Sequence, residues 1–418
     1  MTDSTILVLS PAQQDIFKKQ SISQHSPGTL LQDFEKILSV IGETGTPVSG
    51  VKKHFPMALL AEINTQLTHP VTLKLKRPVQ KSYPHINALY LLVRASGLGT
   101  IASKGKKFLL VIDPALLQHW KNLTPAEQYF SLFEAWWCRG SDEILGESEG
   151  LGMFDHLVRS LEYFFIKLPK EGVNIAGNKG KEDRLRYVPG HHSLALLELF
   201  GFITIQTGEP KDGKGWCVKS ITPTEWGKAV LESIYAVNRE TMDTADIDTS
   251  VEDMKAAAFK EWRKIIQPYF SDWNSVLTPP EARFQPGNHV FKVSIGRAWR
   301  KIAVSGESSF DTLAETILRA FDFGNDHLYQ FIYSDRYGLK KYINHFALEE
   351  EPYTDKVRLG EVAFFPGMEM TFFFDFGDCW EFHVQVEETD ADTTEGSEPV
   401  IFERRGKAPE QYPDYDEW

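Results

Sequence analysis

Adjacent prolines in Thr278-Pro279-Pro280, followed by Pro286-Gly287, interrupt the chain two thirds of the way along. Two neighbouring prolines fix two backbone angles and remove two amide donors, so no helix or central strand crosses them. A domain boundary is therefore expected there. Charge divides at the same place. Residues 288–418 carry 13 Lys+Arg and 26 Asp+Glu of the chain's 45 and 58, leaving 32 of each before them. The whole net charge of -13 thus belongs to the C-terminal part, whose field repels phosphate backbones.

A chain of 418 residues exceeds one hydrophobic core, so two or three domains are expected. No run approaches the roughly 18 apolar residues of a membrane span. Met1–Ser10 lacks a basic region and a cleavage site, so it is not read as a signal peptide, and a cytoplasmic location without membrane contact is expected. Cys138, Cys217 and Cys379 lie far apart with no CxxC, which excludes a cysteine-rich zinc site and disfavours a disulfide framework. Each stands beside a tryptophan and is expected to be a buried thiol.

The balanced N-terminal part hides a second asymmetry. No acid occurs between Glu62 and Asp113, whereas Lys74, Lys76, Arg77, Lys81, Arg94, Lys104, Lys106 and Lys107 all do. This segment, 63–112, is the candidate nucleic-acid-binding surface. The competing reading is a solvated face balanced by acids from elsewhere.

Two stretches share one order of elements. His85–Ala95 reads as an apolar helix ended by Gly97, then a short extended piece, a basic turn, the strand Phe108–Ile112 and a helix opened by Asp113-Pro114. His191–Phe200 is again an apolar helix ended by glycine. Two strands flank a Gly-rich turn, and Thr222-Pro223-Thr224-Glu225 opens a helix. This is the back half of a winged helix, and the stretch from Ile221 to Leu231 resembles the closing segment of many bacterial winged-helix regulators. The division expected is 1–170, helical and winged-helix-like; 185–238, a second such unit; 239–287, a helical linker; 288–390, an α+β domain; and 391–418, an acidic tail.

In the last part, His289–Ile295 and Trp299–Val304 alternate as a hairpin about Gly296-Arg297. A helix capped at Ser308 or Ser309 follows, then a strand from Leu328 to Tyr333 and an irregular polar stretch from Ser334 to Gly360. Thr371–Phe376 and Trp380–Val386 form a final hairpin bent at Gly377-Asp378. The fold class expected is α+β: a β-grasp-like sandwich preceded by a mostly helical region.

The residues from Ala320 to Phe331 read Ala-Phe-Asp-Phe-Gly-Asn-Asp-His-Leu-Tyr-Gln-Phe, and those from Phe374 to Phe382 read Phe-Asp-Phe-Gly-Asp-Cys-Trp-Glu-Phe. They resemble the two hallmark stretches of the plasmid pRiA4b ORF-3-like family, often described as TnpR-type passenger proteins of insertion elements. The resemblance spans about Asn288–Trp418, and Pro399–Pro413 is similar to a tail of some members. Many members place His directly after the Trp-Glu pair and carry an acidic Cys-Pro segment. This chain has Phe382, with His383 one place later, and lacks that segment.

Asp375, Asp378, Glu381 and His383 are candidate ligands for a divalent metal, because Glu381 and His383 share one strand face beside an acidic turn. The plainer reading makes Gly377-Asp378 a turn and the other two an exposed face. Trp380 and Phe382 are candidate partner-contact residues, against a reading of simple core. His327, His345 and His191-His192 read as packing, surface or capping residues. No cofactor is implied, and no GxSxG, Walker A, HExxH or GxGxxG motif is present. The leading functional reading is a non-enzymatic DNA-associated or regulatory protein linked to mobile elements. A protein- or ligand-interaction module and a metal-dependent hydrolase are the alternatives.

Overall fold

A computed structural model describes residues 8–104, 107–147, 162, 164–165, 167–245, 249–279, 283–391 and 398–412. Lys106 and Pro280 of the expected linker lie outside the described residues. The chain forms two compact units: Met1–Thr100 with Leu110–Pro279, and Ile101–Leu109 with Pro280–Trp418.

The first unit begins with α1 (Pro11–Lys19), α2 (Leu30–Ile41), β1 (Thr46–Val48), α3 (Met57–Gln66) and α4 (Pro84–Ala95). The hairpin β2 (Gly99–Lys104) and β3 (Lys107–Ile112) follows, its outer part Ile101–Leu109 belonging to the second unit, then α5 (Pro114–Asn122) and α6 (Pro125–Arg139). After it come β4 (Val173–Asn174), α7 (Lys179–Arg184), α8 (His191–Leu199), β5 (Ile203–Thr207), β6 (Val218–Pro223), α9 (Glu225–Thr244) and α10 (Val251–Ile266). Helix starts follow local chemistry. Thr124 and Glu127 close a capping box on α6, and Thr224 caps α9 through Gly227 N–H. Gly97 and Gly201, with φ of 76° and 72°, end α4 and α8 in the left-handed conformation the sequence calls for.

Two small sheets have the same topology. The first is ordered β1-β3-β2 and the second β4-β6-β5, each with helices between its first strand and its hairpin. Every residue of α4 is buried, and so is α8 from Ser193 onward. His85 Nε2 of α4 meets Glu198 Oε2 of α8 at 2.8 Å in that interior. Around these helices lies an aromatic core: Phe130 stacks on Trp273 at 3.8 Å, and Trp136 on Phe200 at 5.2 Å. The buried Glu127 carboxylate joins α6 to the end of this unit by accepting Asn274 N–H at 3.1 Å and Ser275 N–H at 2.7 Å.

The second unit is built on β7 (Asn288–Ile295), β8 (Ala298–Ser305), α11 (Phe310–Ala320), β9 (Tyr329–Ser334), β10 (Lys340–Asn344), β11 (Glu369–Phe374), β12 (Trp380–Ala391) and β13 (Val400–Arg405). They form a sheet in the order β10-β9-β11-β12-β7-β8-β13. Phe372 sits opposite Phe382 on one side and Phe331 on the other. With Phe291 and Val384, these residues bury against Leu313, Ile317 and Leu318 of α11. Burial of one such side chain contributes about 1.5–3 kcal/mol before entropy is counted.

The sheet corrects three expectations. Its strand pairings are antiparallel throughout, one layer seven strands wide, rather than a β-grasp sandwich. The polar stretch after Ser334 contains β10, whose Lys340-Lys341-Tyr342 suits an exposed edge strand. Residues 400–405, read as acidic tail, add β13 to the opposite edge. Both additions are edge strands, where polar residues hide the alternation that marks a buried strand.

Candidate functional site

In the first unit a cavity of about 1150 Å³ opens where the β5–β6 loop, the α7–α8 turn and the segment before α4 converge. The chain reaches it through local turn chemistry. Gly190, with φ of 87°, bends the chain into α8 without a side-chain cap, so His191, His192 and Ser193 enter the wall as the first helical turn. His192 Nε2 lies 3.0 Å from Asp142 Oδ1 and 3.2 Å from Ser193 Oγ. Both contacts use the same ring nitrogen, so the three residues do not form a nucleophile–base–acid relay. Burial pushes the His191 imidazole down to about 4, and the charges of Arg186, His192 and Lys81 add to the fall. Trp216, a buried wall residue, meets the rings of His191 and His85 edge-on at 5.9 and 5.3 Å. The pair His191-His192, read as capping or surface residues, therefore lines a cavity. The signal in the sequence was Pro189-Gly190 directly before it, which makes an abrupt helix start.

The candidate basic residues differ in where they stand. Lys81 reaches the cavity and pairs with Glu147 at 2.5 Å. Lys74 is exposed, 3.6 Å from Asp212, and its carbonyl accepts Gly213 N–H at 2.9 Å, which places it beside the β5–β6 loop carrying Lys211 and Lys214. Lys76, Arg77 and Lys107 are exposed. Arg94 is a correction: it is buried in α4, where its guanidinium meets the Tyr90 phenol, and it cannot touch a phosphate. Lys106 and the side chain of Lys104 lie outside the described residues.

The acidic hairpin of the second unit is built differently. Asp375 ends β11 at φ 59°, buried, and its Oδ1 accepts Gly377 N–H at 2.8 Å and Asp378 N–H at 3.3 Å. Its Oδ2 lies 3.4 Å from His327 Nε2. Tyr412 donates to Asp326 Oδ2 at 2.6 Å and stands 2.9 Å from His327 Nε2. Gln411 donates to Asp326 Oδ1 at 2.9 Å and accepts Gly324 N–H at 2.6 Å. The hydrogen bond to Asp326 pushes the Tyr412 phenol up to about 12, and the same bond holds the Asp326 carboxyl below its usual range. The loop Asp322–Leu328 and the turn Asp375–Cys379 thus meet at one end of the sheet, with the tail at Gln411-Tyr412 fastened across them.

Residues 292–413 match the family model for plasmid pRiA4b ORF-3-like protein. A crystal structure of the protein of unknown function MM3350 from Methanosarcina mazei Go1 is similar at 23% identity, over 29% of this chain and 71% of that one, with a TM-score of 0.25. No curated protein matches the chain.

Within the ORF-3-like region the candidate metal ligands are not brought together. Asp375 is spent on turn amides. Glu381 and His383 point from the sheet face opposite the core, where His383 Nε2 lies 3.4 Å from Glu369 Oε1. Among the described residues, no three His, Cys, Asp or Glu stand in ligand geometry. Phe382 is fully buried and has no surface to offer a partner, which corrects its reading as a contact residue. Trp380 is half-buried and packs edge-on against Phe323 at 5.2 Å. Of the three cysteines, Cys138 is buried, with its thiol pushed up to about 12 by that burial, Cys217 is half-buried and Cys379 is exposed. Among the described residues, no helix is long and apolar enough to cross a membrane.

Proposed function

We propose that this chain is a non-enzymatic regulatory protein whose N-terminal half is a fused pair of winged-helix-like units. The sheet orders β1-β3-β2 and β4-β6-β5, each closed by a hairpin after an apolar helix, support that reading. The observation that carries the functional conclusion is the burial of α4 and α8. In a winged helix that reads DNA, the helix before the hairpin enters the major groove and its side chains reach base edges. Here those two helices are core, so base readout by them is unavailable and the pair serves as an interaction scaffold.

Contact with duplex phosphates is a second reading, favoured by the bond from Gly213 to Lys74. That bond gathers Lys74, Lys76 and Arg77 near Lys211 and Lys214. Such contact positions a protein without specifying sequence. A connection with mobile elements rests on the family resemblance.

The test is selection of duplexes from a random library by the full chain, with binding also titrated against salt. The expected result is no enriched motif, with any binding falling steeply between about 50 and 200 mM salt. Recovery of a defined motif would overturn the scaffold reading. Unchanged binding in a K74E/K76E/R77E variant would remove the phosphate reading.

A further inference from the structure

The cavity of the first unit has no part in the scaffold reading, although Lys211 and Lys214 of the phosphate reading line it, and its chemistry selects a class of ligand. Leu75, Val79, Leu185 and Trp216 give it apolar wall, while Arg186 and the uncapped start of α8 give it positive charge and donors. Three acids on the wall are already engaged, Glu182 with Lys211 at 3.0 Å, Glu147 with Lys81 and Lys52 at 2.5 and 3.5 Å, and Asp142 with His192 at 3.0 Å, while a fourth, Glu209, is exposed. Among the described residues, the Arg186 guanidinium has one ion pair, a long contact of 3.8 Å to Asp183. Trp216 is 6% exposed and its indole Nε1 has no hydrogen-bond partner among the described residues. That nitrogen has almost no accessible surface, so Trp216 serves the cavity as apolar wall rather than as a donor. The low proton affinity of His191 comes first from its burial, with the charges of Arg186, His192 and Lys81 adding to it.

We propose that this cavity binds a small organic oxyanion. Its phosphate or carboxylate group is held at Arg186 and the first turn of α8, and its apolar body lies against Trp216, Leu185 and Val79. Charge-assisted bonds from a guanidinium and from helix-start amides suit such a group, and a concave wall that sets apolar surface beside polar groups suits a ligand with an apolar body and an anionic end.

The experiment is calorimetric titration of the full chain at pH 7.5 and constant ionic strength with phenyl phosphate, benzoate, inorganic phosphate and phenol. Saturable binding of phenyl phosphate or benzoate is expected, at least about tenfold tighter than inorganic phosphate or phenol, and the tighter of the two names the anionic group. Arg186→Gln, at a half-exposed position, should weaken that binding about tenfold. Val79→Asp, at the exposed rim, should weaken it through both charge and lost apolar contact. No saturable binding by either aromatic anion would overturn the proposal, as would equal affinity in wild type and Arg186→Gln. Inorganic phosphate binding as tightly as phenyl phosphate would overturn the apolar half of it.

Discussion

Two glycine-containing turns in this molecule, one acidic and one carrying two histidines, end in opposite states. The turn Asp375–Cys379 satisfies itself: Asp375 takes two turn amides, and His327, Asp326, Gln411 and Tyr412 close a network around it. The turn Pro189–Ser193 does the reverse, presenting an uncapped helix start, two imidazoles and a nearby guanidinium to a cavity. Carboxylates beside a Gly turn are easily saturated by the chain's own amides, and a saturated carboxylate is a structural group. The Arg186 guanidinium and the first amides of α8 are donors that neighbouring amides cannot satisfy, so they need acceptors from elsewhere.

The sharpest way to break this comparison is to remove the centre of the closed turn. Asp375→Ala leaves two turn amides without their acceptor and puts alanine at a positive φ, so a loss of about 2 kcal/mol in urea unfolding is expected. Asp375→Asn should recover much of it, because asparagine accepts the same bonds and tolerates that conformation. A loss below about 1 kcal/mol for the alanine variant would mean the network is not what holds the turn.

The open turn should reveal itself through pH. His191 titrates near 4 in the folded state and near 6.5 unfolded, so between those values the unfolded chain binds the extra proton. Stability therefore falls as pH drops through that window, by about 2 kcal/mol from pH 7 to pH 5. His191→Gln should flatten that slope in urea midpoints taken at both pH values. An unchanged slope would place His191 in a more hydrated setting than its burial indicates.

Smaller effects sharpen the closed side. The Tyr412 phenol should titrate near 12 in the ultraviolet difference between wild type and Tyr412→Phe, and Asp326→Asn should bring it down toward an ordinary tyrosine value. The smallest effect belongs to the outer sheet face. Glu381→Ala and His383→Ala should leave the melting temperature unchanged with or without Mg²⁺, Mn²⁺ or Zn²⁺. A metal-dependent rise in wild type that either variant abolishes would restore the metal reading.

Much of the fold was legible because local chemistry decides it. The caps at Thr124 and Thr224, the glycine stops at Gly97 and Gly201, and the β7–β8 and β11–β12 hairpins all stand where residue patterns put them. The edge strands β10 and β13 were not legible, since their exposed Lys, Glu and Arg carry no alternation of burial. Of the candidate sites, the hairpin carboxylates were visible as residues while their saturation by Gly377 and Asp378 amides was not. The cavity left almost no trace, because its wall comes from segments more than a hundred residues apart.

By itself the sequence determined the charge division, the break at Pro279-Pro280, the periodicity of the helices and hairpins, and the hallmark stretches about Phe323 and Phe376. Each is a property of neighbouring residues. Only the tertiary structure decided that α4 and α8 are core, that Arg94 is buried, and that His191 faces a cavity while Asp375 is enclosed. Those outcomes depend on which surfaces meet, and burial is settled between segments rather than within them.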